Sequence, residues 1–157
     1  MIRVVDTHVL VLGDAGEHHD DLVCAQKAIR YLAETQRKFR VGLDSGGLIL
    51  KEYEGNARKK AQPGLGHAFL IHLYTNQYNP RHACQVVITK HPDREFVEFP
   101  DDPSLDHFDR SDRKFVAVAL AAPDKHEIAY AEDTEDWQGA ELALRANGVD
   151  LRYLCAS

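Results

Sequence analysis

Short apolar runs alternate along this chain with segments of helical periodicity, and that alternation admits few folds. A strand that leads into a helix and then into another strand returns parallel to the first, so the helices must cover the faces of a shared sheet. Residues 2–5 form a nearly continuous run of β-branched side chains, as suits a strand buried on both faces. Residues 39–43, 84–89 and 127–131 read as further strands, and residues 149–154 alternate as a final strand. The expected fold is therefore a three-layer α/β/α domain around a mostly parallel central sheet.

The helical segments fill the intervals. Leu22, Ala25, Ile29 and Leu32 recur at helix spacing and predict a helix over residues 20–35, with Asp20 and Asp21 complementing its dipole. The turn Asp44-Ser45-Gly46-Gly47 ends the second strand, and Leu48, Ile49 and Tyr53 then mark a helix that carries Glu52. Phe69, Leu70 and Leu73 mark another over residues 67–74. Ser111 is placed to cap a helix with Phe115, Val118, Ala119 and Ala122 facing inward, which puts Asp112 in its first turn. A last helix over residues 136–147 stops at Gly148. Residues 92–109 are rich in Pro and Asp and read as a loop with a short extended piece at 95–99.

Composition narrows the function classes. At 157 residues and 44% hydrophobic, the chain can close one core. Its longest apolar stretch, residues 115–122, is too short to span a bilayer, and Asp6 and His8 interrupt the apolar start, so a soluble cytoplasmic protein is expected. Cys24, Cys84 and Cys155 are odd in number and far apart, a pattern that predicts reduced thiols. The net charge of −6 disfavours a plain nucleic-acid binder unless bound cations offset it.

Acids stand at the predicted junctions. Asp6 closes the first strand, Asp133 follows the fourth, and Glu52, Asp112 and Asp136 sit on helices near the same expected end of the sheet. Open parallel sheets build their ligand crevice at the carboxyl ends of strands. Carboxylates gathered there make a site for a hard divalent ion. Singly, each acid has an ordinary use as a turn residue, a helix cap or a solvated position. A second aspartate two residues after the first, as acid phosphatases of the haloacid-dehalogenase type require, is missing, because His8 stands there. His18-His19-Asp20-Asp21 lacks an answering histidine motif at ligand spacing.

The order Asp6-Thr7, then Lys51-Glu52-Tyr53, then Asp112-Arg113-Lys114-Phe115, then Glu132-Asp133-Thr134-Glu135-Asp136-Trp137 resembles that of the PIN-domain nucleases over nearly the whole chain. The resemblance implies a single PIN-like domain over residues 1–157 and a metal-dependent endonuclease. Its implied metal ligands are Asp6, Glu52, Asp112 and Asp133, with Asp136 as an additional acid and Mg²⁺ or Mn²⁺ as cofactor. Asp44 and Glu54 rival Glu52 for the second position. Single-stranded RNA is the favoured substrate, with DNA or a non-catalytic scaffold as alternatives, and a homodimer or an inhibitory protein as a further partner. Arg58, Lys59 and Arg113 are the candidate grips for substrate phosphates, with Lys60, Arg110 and Lys114 beside them.

Overall fold

The computed structural model describes residues 1–15, 21–57, 64–132 and 134–156. Its core is a five-stranded sheet in the order β3-β2-β1-β6-β7, parallel throughout. These strands are β1 (Ile2–Val5), β2 (Arg40–Asp44), β3 (Ala83–Val86), β6 (His126–Tyr130) and β7 (Leu151–Tyr153). A two-stranded antiparallel hairpin, β4 (Lys90–His91) and β5 (Glu95–Phe96), stands apart from the sheet. Helices α1 (Thr7–Ala15), α2 (Leu22–Lys38), α3 (Leu48–Ala57) and α4 (Leu65–Asn76) connect the first three strands. Helix α5 (Arg113–Ala121) leads into β6, and α6 (Thr134–Gly139) and α7 (Glu141–Ala146) join β6 to β7. Right-handed crossovers place α1–α4 on one face and α5–α7 on the other, which gives the three layers expected.

β1 is the central strand and all four of its residues are buried. Arg3 is the polar exception within it. Its guanidinium reaches Glu34 at 3.0 Å and Glu127 at 3.5 Å and lies over the rings of Tyr31 and Phe39, so its charge is paired inside the sheet. On the opposite face α5 is buried along Arg113–Ala119, and Phe115, Val116 and Val118 close the core there. Trp137 is fully buried; it stacks on Tyr130 at 5.8 Å and meets Phe108 edge-on at 5.0 Å, and so anchors α6 against β6.

Several sequence expectations shift. The segment after Asp6 forms α1, which the periodicity of the sequence did not reveal. Helix α2 runs from Leu22 to Lys38, and its buried face is Cys24, Ala25, Ala28, Tyr31, Leu32 and Thr35. Leu22 is half exposed, because Asp21 caps the helix just ahead of it and turns the first residue outward. The last helix is two, since Ala140 leaves helical geometry between α6 and α7, while Gly148 closes α7 at φ 86° as expected. Cys24 and Cys155 form a disulfide across a Cα–Cα distance of 4.8 Å, contrary to the expectation of three reduced thiols; Cys84 is free and buried. The sheet brings these two ends together, which spacing along the chain cannot disclose. No helix among the described residues is long and apolar enough to cross a membrane.

Candidate functional site

The connections leaving β1 and β6 run to opposite sides of the sheet, so the crevice outside their carboxyl ends is the topological switch point. A cleft of about 230 Å³ lies at this place, lined by Asp6, Thr7, His8, Glu52, Asn56, Asp109, Ser111 and Asp112. Three of the acids expected to converge do so. Asp6 is carried there by the end of β1, Glu52 by the middle of α3 and Asp112 by the start of α5.

Asp6 is buried, and burial holds its carboxyl above the ordinary range, against the lowering effect of His8. The Asp6 Oδ2 atom lies 3.3 Å from both the backbone nitrogen and the ring Nδ1 of His8. Tyr53 donates its hydroxyl proton to the carbonyl of Val5, which ties α3 to the last residue of β1. Glu52 accepts hydrogen bonds from the Thr7 hydroxyl and, at 2.6 Å, from the Lys114 ammonium. Lys114 is buried and also donates to the Ser111 carbonyl, so one cation pins α3 to the start of α5.

The rivals of Glu52 have other duties. Asp44 caps α3, accepting from Leu48 N at 2.7 Å and Ile49 N at 2.8 Å. Glu54 accepts from the Tyr74 hydroxyl at 3.0 Å and does not line the cleft.

Asp112 occupies the cap position of α5 but makes no capping bond with its side chain. Asp109 performs the local capping instead, with its Oδ1 accepting from Ser111 N and Ser111 Oγ at 2.9 Å each. Asp112 is thereby released toward Asp109 and Asp136, and single carboxylate oxygens of these three residues lie within 4.8 Å of one another. The Asp112 carboxyl is pushed up to about 9, first by burial, then by its hydrogen bond with Asp136 and the charges of Asp6, Asp136 and Asp109. Asp136 accepts the Asp109 backbone N–H at 3.0 Å through Oδ1, whereas its buried Oδ2 meets no N–H or hydroxyl donor among the described residues, leaving only the Asp112 carboxyl beside it. Glu132, near the end of β6, holds a left-handed φ of 61°.

Asp109 was missed in the sequence because it closes a Pro- and Asp-rich stretch without periodicity; its spacing three residues before Asp112 is the signal that was there. Asp133, Arg58, Lys59, Lys60, His18, His19 and Asp20 lie outside the described residues. Arg113 does not act as the expected phosphate grip. It is buried, its guanidinium donates to the carbonyls of Phe108, Leu105, Asp106 and Arg94, and it lies over the Phe99 ring. Its three nitrogens are turned to backbone carbonyls, so burial and these bonds keep the guanidinium away from the cleft. Arg110 is likewise engaged, with Glu95 at 2.9 Å and the carbonyls of Pro92 and Asp93.

The donor set suits a hard divalent ion, because every candidate ligand atom among the described residues is a carboxylate oxygen. Comparison of the chain with family models, curated proteins and solved structures found no match.

Proposed function

We propose that this chain is a PIN-like, divalent-metal-dependent endonuclease whose substrate is single-stranded RNA. The observation that carries the proposal is the meeting of Asp6, Glu52, Asp109 and Asp112 in one cleft at the switch point, with the buried Asp136 Oδ2 beside it. Asp109, Asp112 and Asp136 would hold Mg²⁺ or Mn²⁺, with Asp6 and Glu52 lining the cleft and Asp133 following β6. A divalent ion in such a place neutralises charge on phosphate oxygens and supplies hydroxide near neutral pH.

The chain's own side chains supply the rest. His8 meets Asp6 and sits half exposed at the cleft, positioned to take or give a proton at Asp6 Oδ2. Lys114 and Thr7 fix the Glu52 carboxylate in one orientation, so α3 and α5 present their acids in a constant relation. Asn56, whose Nδ2 donates to the Glu52 carbonyl at 2.9 Å, leaves its Oδ1 at the cleft wall to accept from a ribose or base edge. A cytoplasmic location belongs to the same proposal. The Cys24–Cys155 bond is the observation that opposes this compartment, where thiols are kept reduced. A homodimer or an inhibitory protein partner belongs to the same proposal, and sedimentation of the isolated chain separates the two.

The test is incubation of wild type and Asp112→Asn with labelled single-stranded RNA, single-stranded DNA and duplex DNA, in Mg²⁺, Mn²⁺ or EDTA. Metal-dependent RNA cutting that falls by about a hundredfold or more in the variant is expected. Cutting of DNA alone would assign the alternative substrate. A wild type that cuts nothing and binds no Mn²⁺ would replace the enzyme with a scaffold.

A further inference from the structure

We propose that the cavity between α2 and β7 is a second binding site, and that it takes a phosphate-bearing ligand. The cavity has a volume of about 380 Å³, within the range of small-ligand sites. Its wall presents Lys27 and Arg30 from α2 and Arg152 from β7, beside Tyr31 and Tyr153. Three cations meeting in one concavity run against the net charge of −6 that the chain carries. Like charges so gathered repel unless an anion enters among them.

The opposing acids do not cancel them. Glu34, the acid in the wall, is engaged by Arg3 at 3.0 Å. Glu127 accepts from the Tyr31 hydroxyl at 2.7 Å and lies 3.5 Å from Arg3, so Arg152, at 3.7 Å, holds only a share of its charge. The guanidinium of Arg30 has no partner among the described residues. Lys27 gives one of its three donors to the Ala156 carbonyl at 2.6 Å and keeps two. Two guanidinium forks and an ammonium match the oxygens of a phosphate group, which guanidinium binds in bidentate fashion.

The wall is also held in place. Cys155 is bonded to Cys24 on α2, and Leu154 N donates to the Tyr130 carbonyl at 3.0 Å, so the closing segment cannot swing away from the helix. The site does not depend on the nuclease reading, because none of its residues lines the acidic cleft. A mononucleotide and the terminal or backbone phosphate of a nucleic acid share the required chemistry.

Calorimetric titration of the full chain in EDTA with inorganic phosphate, 5′-AMP and a short 5′-phosphorylated RNA tests the proposal and separates these sources. Saturable binding of at least one probe is expected, weakened by salt. It should drop by about tenfold or more in Arg30→Gln/Arg152→Gln, less in Arg30→Gln alone, and stay unchanged in Asp112→Asn. Equal thermal midpoints would show that the exposed substitutions leave the fold intact. Binding of none of the three probes, or binding that the double variant retains, would overturn the proposal.

Discussion

Asp112 is a carboxyl kept in the wrong charge state by its neighbours. Unfolded, it ionises near the ordinary value of 3.8; folded, burial and Asp136 push it up to about 9. Across that window the folded chain holds a proton that the unfolded chain has lost, so stability is full below it and falls as pH rises through it. Asp112→Asn removes this dependence. In metal-free protein at pH 8 the variant should gain about 1–3 kcal/mol, the proton being shared with Asp136, and about 2–4 °C in midpoint for each kcal/mol. Thermal unfolding in EDTA at pH 5 and pH 8 measures it, and a variant less stable than wild type at pH 8 would refute the account. At this scale the sequence was legible where a side chain's position followed from an element boundary: Asp6 at a strand end, Asp112 at a helix start. It was not legible for Arg113, whose charge suggests a surface grip while its burial under the 105–108 loop is a tertiary fact. Nor was it for Lys114, whose partner Glu52 lies on another helix.

Helices α1 and α4 touch with almost no gap. A Cβ added at Gly66 would overlap the Leu10 carbonyl oxygen, and Asp14 of α1 caps α4 by accepting from Gly64 N at 2.9 Å and His67 N at 2.8 Å. Gly66→Ala should therefore force the two helices apart and cost about 3 kcal/mol, read as a lowered urea midpoint. An unchanged midpoint would mean that the pair repacks freely. The same contact explains why α1 was hidden in the sequence. Val9, Leu10, Leu12 and Gly13 are all buried between the sheet and its neighbouring helices, so the segment lacks the polar face from which helical periodicity is read. Helix α2, with one wet polar face, is legible from periodicity, whereas α4 is legible only through the spacing of Phe69, Leu70 and Leu73. Strand β1 is legible as a β-branched run, and β2 and β6 as short apolar stretches bounded by turns, none of which needs a wet face to be recognised. The division into α6 and α7 escaped because no proline marks Ala140.

At the scale of the molecule the disulfide closes nearly the entire chain into a loop, with 131 residues separating its cysteines. Chain-entropy arguments make such a closure worth about 5 kcal/mol. Cys155→Ser should lower the unfolding free energy by about that amount, and reductant should lower the wild type to match while leaving the variant unmoved. Thiol alkylation without reductant should label only Cys84, and only after unfolding; ready labelling of Cys24 in the folded chain would show the pair open. The layered architecture itself was readable from the alternation of elements, since parallel strands leave helices nowhere else to go. Which acids share a cleft was half readable, because Asp6, Glu52 and Asp112 follow from element ends and a helix face, while Asp109 comes from a loop without periodicity.

β1 lies in the middle of the sheet although it is made first. One flank gains β2 early, but the other must wait for β6, where Ile2 pairs with His126 and Val5 with Ala129. A ribosome will have released most of the chain before that edge can be covered. Until then a buried, β-branched strand has open hydrogen-bonding groups, so the nascent protein is a natural client for holding chaperones.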